Sequence, residues 1–391
     1  MEARGNKDLL RDKKIAIVGA GPGGLTLARL LQLKGADVKV YERDFGEDAR
    51  VQGSVVDLHY ESGLKVIKAA GLVDAFKEAY MPNADKFRIV DKQAHVFYDE
   101  ENRPDETFGD VNFRPEIDRG ALRKVLLASL QPDTVVWDSH FDHMDEVDES
   151  WQLYFKGGKK ATADIVIGAD GARSKIRPYV TSIKSIYSGT TIIQGEIDRP
   201  QEKCPGAYAL LNKGNLIALS DGRSISAQPR GDGGMTFYAS ARFAEDWVKN
   251  TGIDHSNKDD TCAFLVEFFA GWNPVFFELF NACDHYVIRQ LNYFPLNQEW
   301  ESKPNVTIIG DAAHLMPPSG EGVNTAMLDA LDLSEYLTDG THNNLQAAIA
   351  MFEKLMRARG SNLAVEALEY NELLYSENAL TDIVRMFTQP A

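Results

Sequence analysis

The apolar residues of the chain change period in a fixed order. A strand-length run, Ile15 to Val18, gives way after Gly19 to apolar positions three and four apart, among them Leu27, Leu30 and Leu31, and then to a second short run around Val38 and Val40. Strand, helix, strand is the pattern of a βαβ unit. Two later stretches, "DIVIG" from Asp164 and "NVTIIG" from Asn305, are again apolar and strand-like, and the second leads into the helical pattern "TAMLDALDLSEYL". Between about 185 and 295 the character changes to short, alternating, turn-rich segments such as "YSGTTIIQGEID", "NLIALSDGRSISAQP" and "GGMTFYASARF". These predict a β-rich layer. Aromatics at helical spacing in "DDTCAFLVEFFAGWNPVFFELF" predict core packing, and a long helical pattern from Leu345 to Phe387 is interrupted near Gly360. The expected organisation is α/β: a discontinuous nucleotide-type domain over 1–180 and 296–345, a β-rich domain over 181–295, and a C-terminal bridging helix over 346–391.

Composition narrows the class. The chain has 391 residues and a net charge of −16, so a nucleic-acid partner would require a local basic patch, and none is visible. A small-molecule enzyme fits this charge better. No run approaches the roughly 18 apolar residues of a membrane span, and the charged opening "MEARGNKDLLRDKK" lacks the apolar stretch of a secretory signal, so a cytoplasmic location is expected. Cys204, Cys262 and Cys283 are far apart and form neither a disulfide framework nor a zinc set. The segment "DSHFDHMDEVDES", with two histidines among four aspartates, reads as the solvated edge of a hairpin, with no metal-ligand spacing.

The candidate chemistry starts at the first turn. Gly19, Gly21 and Gly24 spell G-x-G-x-x-G between a strand and a helix. The first permits a tight turn, the second lets backbone approach a pyrophosphate, the third lets helix and strand pack closely, and the helix N-terminus offers amides to phosphate. Glu42 closes the second strand eighteen residues after Gly24, where a carboxylate can accept the ribose hydroxyls and would repel a 2′-phosphate. NAD or the adenosine half of FAD is therefore allowed there. Further on, Arg119 opens a helical pattern, either as a solvated helix-end residue or as a partner for a phosphate or flavin edge. In "ADIVIGADGARSKIR", Asp170 follows an apolar strand and suits an N-cap or Asx-turn position. "GDAAHLMPPSGEGVN", residues 310–324, places an acid, a histidine and prolines before a helix.

Taken in this order, the glycine motif with its strand-end glutamate, "DIVIGADGARSKIR" and "IIGDAAHLMPP" resemble the three signatures of class A flavoprotein monooxygenases, the para-hydroxybenzoate hydroxylase-like family, over residues 14 to about 335. Within that family the chain is most similar to Tet(X)-type tetracycline-inactivating monooxygenases, through "LLQLKGADVKVYERD", "PEIDRGALRKVLLASL", "VVWD" and "GDAAHLMPP". The resemblance implies a Rossmann-like FAD-binding domain with an inserted β-sheet substrate domain and a long C-terminal helix. It implies that Gly310 and Asp311 serve the pyrophosphate and ribityl chain of FAD. Pro318 and its neighbours would lie along the isoalloxazine ring, and a helix start at Gly322, Val323 and Asn324 would face its N1/C2=O edge, where a helix dipole stabilises the anionic reduced ring. Arg43, Arg50, Asp57, Arg119 and Asp170 are implied as further cofactor-side residues, and His314 as a structural turn residue. NADPH, with NADH as an alternative, would bind transiently, because only one dinucleotide fingerprint is present.

The implied activity is hydroxylation of an electron-rich phenol or enol carbon through a flavin C4a-hydroperoxide formed with O2, in a monomeric enzyme that carries no side-chain nucleophile. On the substrate side the resemblance implies Gln194, together with Pro318, Ser319, Gly320, Asn371 and Tyr375. There the chain also departs from the Tet(X) group: Asn215 and Thr236 stand where that group has a substrate arginine and histidine, and "PPSGEGVN" replaces a longer loop carrying phenylalanine and glutamine. A tetracycline-type antibiotic is the expected substrate, with inactivation as the outcome. The alternatives are an aromatic or polyketide hydroxylase acting on another phenol, a flavin oxidoreductase without oxygen insertion, and a flavin- or ligand-binding protein without turnover. Absence of a paired cysteine motif excludes the disulfide-reductase branch.

Overall fold

A computed structural model describes residues 9–47, 49, 55–82, 84–103, 107–254 and 257–388. Arg50 lies outside the described residues. The βαβ expectation is met by strand Lys14–Val18, helix Pro22–Leu33 and strand Asp37–Tyr41. These two strands belong to a five-stranded sheet whose order is Val306–Ile308, Ile165–Gly168, Lys14–Val18, Asp37–Tyr41, Val135–Val136, with every neighbour parallel. Strands covered on both faces need side chains that tolerate burial all round; Ile15, Ile17, Ile165, Val166, Ile167, Val306 and Ile308 are accordingly all buried in one core.

The β-rich layer is a seven-stranded sheet in the order His285–Tyr293, Ile186–Ile197, Met235–Arg242, Arg223–Pro229, Asn215–Ser220, Phe87–Val90, Val96–Asp99. Its last two strands come from 87–99, well before the segment expected to build it, and join through a parallel pairing of Asn215 with Phe87. The reason is long-range: "FRIV" finds its partner edge more than a hundred residues later. Register sets the two faces of this sheet. Ile193, Ile197, Met235, Phe237 and Ala239 point to a second core, where Phe269, Trp272, Phe276 and Phe280 of the aromatic segment cover them. Gln194, Glu196, Thr236 and Ser240 occupy the alternate positions on the other face.

The C-terminal pattern corrects one expectation. Leu345–Leu374 is a single uninterrupted helix of 30 residues, and Gly360 sits inside it without a break. A Cβ at Gly360 would lie 2.6 Å from the Cβ of His314, so this glycine is a close-approach residue between elements and not a helix end. The break comes later, at Tyr375, before the short amphipathic helix Ala379–Thr388. The acidic segment forms strand Phe141–Val147, paired in a hairpin with Ser150–Phe155; its acidic side chains are exposed, while Phe141, Met144, Trp151, Leu153 and Phe155 join the core. Among the described residues no helix is long and apolar enough to cross a membrane, and all three cysteines are free, with Cys204 and Cys283 buried.

Candidate active site

The parallel strands deliver the sequence motifs to one edge. In lateral order, Val306–Ile308 leads to Gly310 and Asp311, Ile165–Gly168 to Asp170, Lys14–Val18 to Gly19, and Asp37–Tyr41 to Glu42. The carboxyl edge of an open parallel sheet is where such folds bind ligands. Gly19 has φ +109°, and a Cβ there would come 2.4 Å from the Ala169 carbonyl oxygen; at Gly24 it would come 2.1 Å from the Gly19 oxygen, whereas at Gly21 it would meet nothing within 4 Å. Two glycines thus let the turn pack on its neighbours and the middle one leaves an open approach to backbone, which is the division that a pyrophosphate requires. Glu42 is buried beside this turn, its carboxylate accepting from the Ala20 N–H at 2.6 Å and the Asp44 N–H at 3.1 Å. Arg43, next in sequence, is exposed.

Asp170 takes the turn-closing role. Its carboxylate accepts from Ser174 Oγ at 2.6 Å and from the Lys175 N–H at 2.7 Å, and burial raises its pKa against those bonds. Gly310, at φ 61°, ψ −144°, hands the chain to the short helix Asp311–His314. The Gly310 N–H donates to Asp329 Oδ2 at 2.9 Å, and Arg177, from the second motif, clasps the carbonyls of Ala312 and Ala313 at 2.9 and 3.0 Å. Asp311 itself is open to solvent, yet desolvation by the surrounding protein raises its pKa despite the opposing charges of His314 and Arg119. Arg119 is exposed at the start of helix Arg119–Ala128, which Asp118 caps through the N–H groups of Gly120 and Ala121.

Two helix N-termini come together beside Asp311. A Cβ at Gly23 would lie 3.0 Å from the Ala326 oxygen, so Pro22–Leu33 packs closely on Gly322–Thr338, and a Cβ at Gly322 would lie 4.0 Å from Asp311 Oδ1. Pro318, Gly320 and Gly322 are exposed, Ser319 and Val323 half-buried. Asn324 is fully buried, and its side chain is spent on protein: Oδ1 accepts from the N–H groups of His59 at 2.9 Å and Gly63 at 3.1 Å, and Nδ2 donates to the Asp57 carbonyl at 2.9 Å. Only its backbone is left for a cofactor. Asp57 ends strand Val55–Asp57 and pairs across it with Glu116.

On the substrate side the structure gathers Gln194, Thr236 and Asn215 on the polar face of the seven-stranded sheet. Gln194 accepts from Arg289 Nε at 2.8 Å and donates to Glu196 at 3.2 Å. Thr236 is buried beside Glu196 in the register. Asn215 turns its amide N–H groups to the Ala84 carbonyl and to Glu116 Oε1, both at 3.1 Å. The long helix closes the same face from its far end: Thr190 Oγ1 donates to Asn371 Oδ1 at 3.1 Å, and the Tyr375 hydroxyl to Ser240 at 2.8 Å.

Three functional neighbours escape sequence reasoning. Glu116 is buried between the sheets, and desolvation, with Asp57 nearby, pushes its pKa up to about 8. His59 sits between Asp57 Oδ2 at 2.7 Å from Nε2 and Glu321 Oε1 at 3.0 Å from Nδ1. Burial would lower its pKa, but the two carboxylates outweigh burial and hold it up to about 9. Asp329, wholly buried, accepts from His314 Nε2 at 2.6 Å and Arg359 at 2.8 Å, which makes His314 part of a structural ion network. Apart from Asp57, two residues from His59, each partner lies on another element, so no local spacing announces the contact.

A match to the FAD-binding-domain family model covers residues 12–195 and 295–343, more than half of the chain. The monooxygenase asqM of Emericella nidulans is 30% identical over 379 residues, spanning 83% of this chain and 84% of that protein. Among solved structures, Klebsiella pneumoniae HpxO complexed with FAD and uric acid is similar with a TM-score of 0.76 at 21% identity, covering 97% of this chain and 93% of that one. The tetracycline destructase Tet(51) is similar with a TM-score of 0.70 at 18% identity, covering 97% and 99%. The chain belongs to the FAD-binding-domain family and is a class A flavoprotein monooxygenase. FAD is its cofactor.

Proposed function

We propose that the protein is an NAD(P)H-consuming hydroxylase of an electron-rich phenolic or enolic carbon. The observation that carries this reading is the convergence of Gly19, Glu42, Asp170 and Asp311 on one sheet edge, linked through Asp57, Glu116 and Asn215 to the polar face of the second sheet. Bound FAD, reduced by NADPH or NADH and meeting O2, supplies the electrophilic oxygen; the chain has to bind, orient and exclude water. In this reading the glycine turn and its helix dipole hold the pyrophosphate, Glu42 the adenosine ribose and Asp311 the ribityl hydroxyls. The amides at Gly322 face the ring edge and favour negative charge there. Gln194, Asn215, Thr236, Asn371 and Tyr375 form the wall that orients the substrate opposite Pro318, Ser319 and Gly320.

A tetracycline-type antibiotic belongs to the substrate class, and the retained Gln194 supports it. A different phenolic compound is favoured by one specific observation: Asn215 is committed to Glu116 and Ala84, and Thr236 carries no charge, so neither offers a cation to a polyoxygenated ligand. The deciding experiment is NADPH oxidation by the purified yellow protein against a panel of tetracyclines and simple phenols under ¹⁸O₂, with products weighed. One ¹⁸O gained by a tetracycline supports inactivation, and one gained only by phenols moves the substrate. Oxidised product without ¹⁸O would overturn hydroxylation itself.

A further inference from the structure

The loop from Pro317 to Glu321 is the part of the cofactor motif in which this chain differs from Tet(X)-type sequences, and the structure ties it down in an unexpected way. Both ring nitrogens of His59 face carboxylate oxygens, Asp57 Oδ2 at 2.7 Å and Glu321 Oε1 at 3.0 Å. A carboxylate accepts and cannot donate, and a neutral imidazole carries one N–H, so two such contacts require the doubly protonated ring. Charge-assisted bonds of this kind are shorter and stronger than neutral ones. Glu321 is the residue immediately before helix Gly322–Thr338, and Asp57 ends the strand against which the loop lies; a Cβ at Gly320 would be 3.7 Å from Asp57 Oδ1. The same histidine gives its backbone N–H to Asn324 Oδ1. Asn324 thus anchors the helix, and His59 anchors the loop that precedes it.

We propose that His59 is a positioning residue: as an imidazolium it latches Glu321 to Asp57 and so fixes the backbone of Pro318, Ser319 and Gly320 over the site. That this backbone faces substrate rests on the function proposed above; the latch does not. The charged and titratable groups around it are Asp57 on the strand and Glu321 on the loop, with Glu116 facing Asp57 across the strand pair and Arg119 beyond Glu116. Its geometry makes the latch sensitive to pH. With its pKa at about 9, His59 carries both bonds at neutral pH and surrenders one as pH rises past that value.

The test uses FAD-saturated protein and needs no substrate. Hydrogen exchange is followed by mass spectrometry over 315–326, with 306–314 as reference, in the wild type, Glu321→Ala, Glu321→Gln and His59→Gln. Loss of one charge-assisted hydrogen bond is expected to speed exchange in the loop about tenfold in Glu321→Ala and less in Glu321→Gln, which keeps an acceptor of the same shape. The reference segment is expected to stay unchanged. In the wild type, loop protection corrected for intrinsic rates is expected to fall by about the same tenfold between pH 8 and 10, and in Glu321→Ala to stay flat. Imidazole NMR, with the His59 signal assigned by its absence in His59→Gln, reads the protonation directly. Unchanged loop exchange in Glu321→Ala, or a His59 signal titrating at its ordinary value, would overturn the latch. A protein that proved not to hydroxylate anything would leave these outcomes as they are.

Discussion

Asp311 and Asp329 show how differently two buried-looking acids of one motif region can behave. The Asp311 side chain is exposed and makes no hydrogen bond to the described residues, whereas Asp329 is enclosed and accepts from Gly310, His314 and Arg359. Removing the first costs the fold little and the cofactor much. Asp311→Ala is expected to weaken FAD binding by about 10- to 100-fold, the effect of losing one or two hydrogen bonds to a charged group, while the melting temperature of the FAD-free protein stays within error. Flavin fluorescence and thermal unfolding measure the two sides; a variant that keeps stoichiometric FAD would show that this carboxylate has been misplaced. Asp329→Asn strands a buried cation and is expected to destabilise the protein by about 3–5 kcal/mol, readable by denaturant unfolding at saturating FAD. Equal stability to the wild type would mean that the network contributes nothing.

The long helix carries the clearest lesson at the level of elements. A glycine in mid-helix costs about 1 kcal/mol against alanine, so Gly360 looks like a break when only its own segment is read. Its reason is His314, on another element, whose Cβ leaves no room for a side chain. Gly360→Ala is therefore expected to lower stability, because overpacking costs about 1–3 kcal/mol and outweighs the gain in helix propensity; a higher melting temperature would show that His314 simply shifts. The same contrast explains what was legible beforehand. The glycine turn, Glu42, Asp170 and Asp311 could be read because each is set by a strand end and a short local pattern. His59 with Glu321, Glu116 with Asn215, and the two strands from 87–99 could not, because in each case one partner lies on a distant element and neither segment alone betrays the pairing.

At the scale of the molecule, a small three-stranded sheet, in the order Val55–Asp57, Glu116–Asp118, Tyr80–Met81, meets the seven-stranded sheet at a junction that holds a buried acid. Glu116, on the strand opposite Asp57, accepts from Asn215 of the seven-stranded sheet, and desolvation together with the charge of Asp57 lifts its pKa from 4.5 to about 8. A carboxyl whose pKa is higher folded than unfolded binds its proton more tightly in the native state. Stability is therefore greatest below the unfolded value and falls as pH rises towards the folded one, by up to roughly 1.4 kcal/mol per pH unit between about pH 5 and 8. His59, raised to about 9, adds a loss of the same sign at higher pH. Glu116→Gln keeps the acceptor for Asn215 and cannot ionise, so it isolates the first contribution: His59 is common to both proteins and cancels. Unfolding free energies of FAD-saturated wild type and Glu116→Gln, measured from pH 5 to 8.5, are expected to diverge, the wild type losing several kcal/mol more than the variant. Parallel curves would mean that Glu116 is ionised in the folded protein and that the junction is held by an anion facing Arg119, in which case the wall beside Asn215 would present negative charge to the substrate at neutral pH.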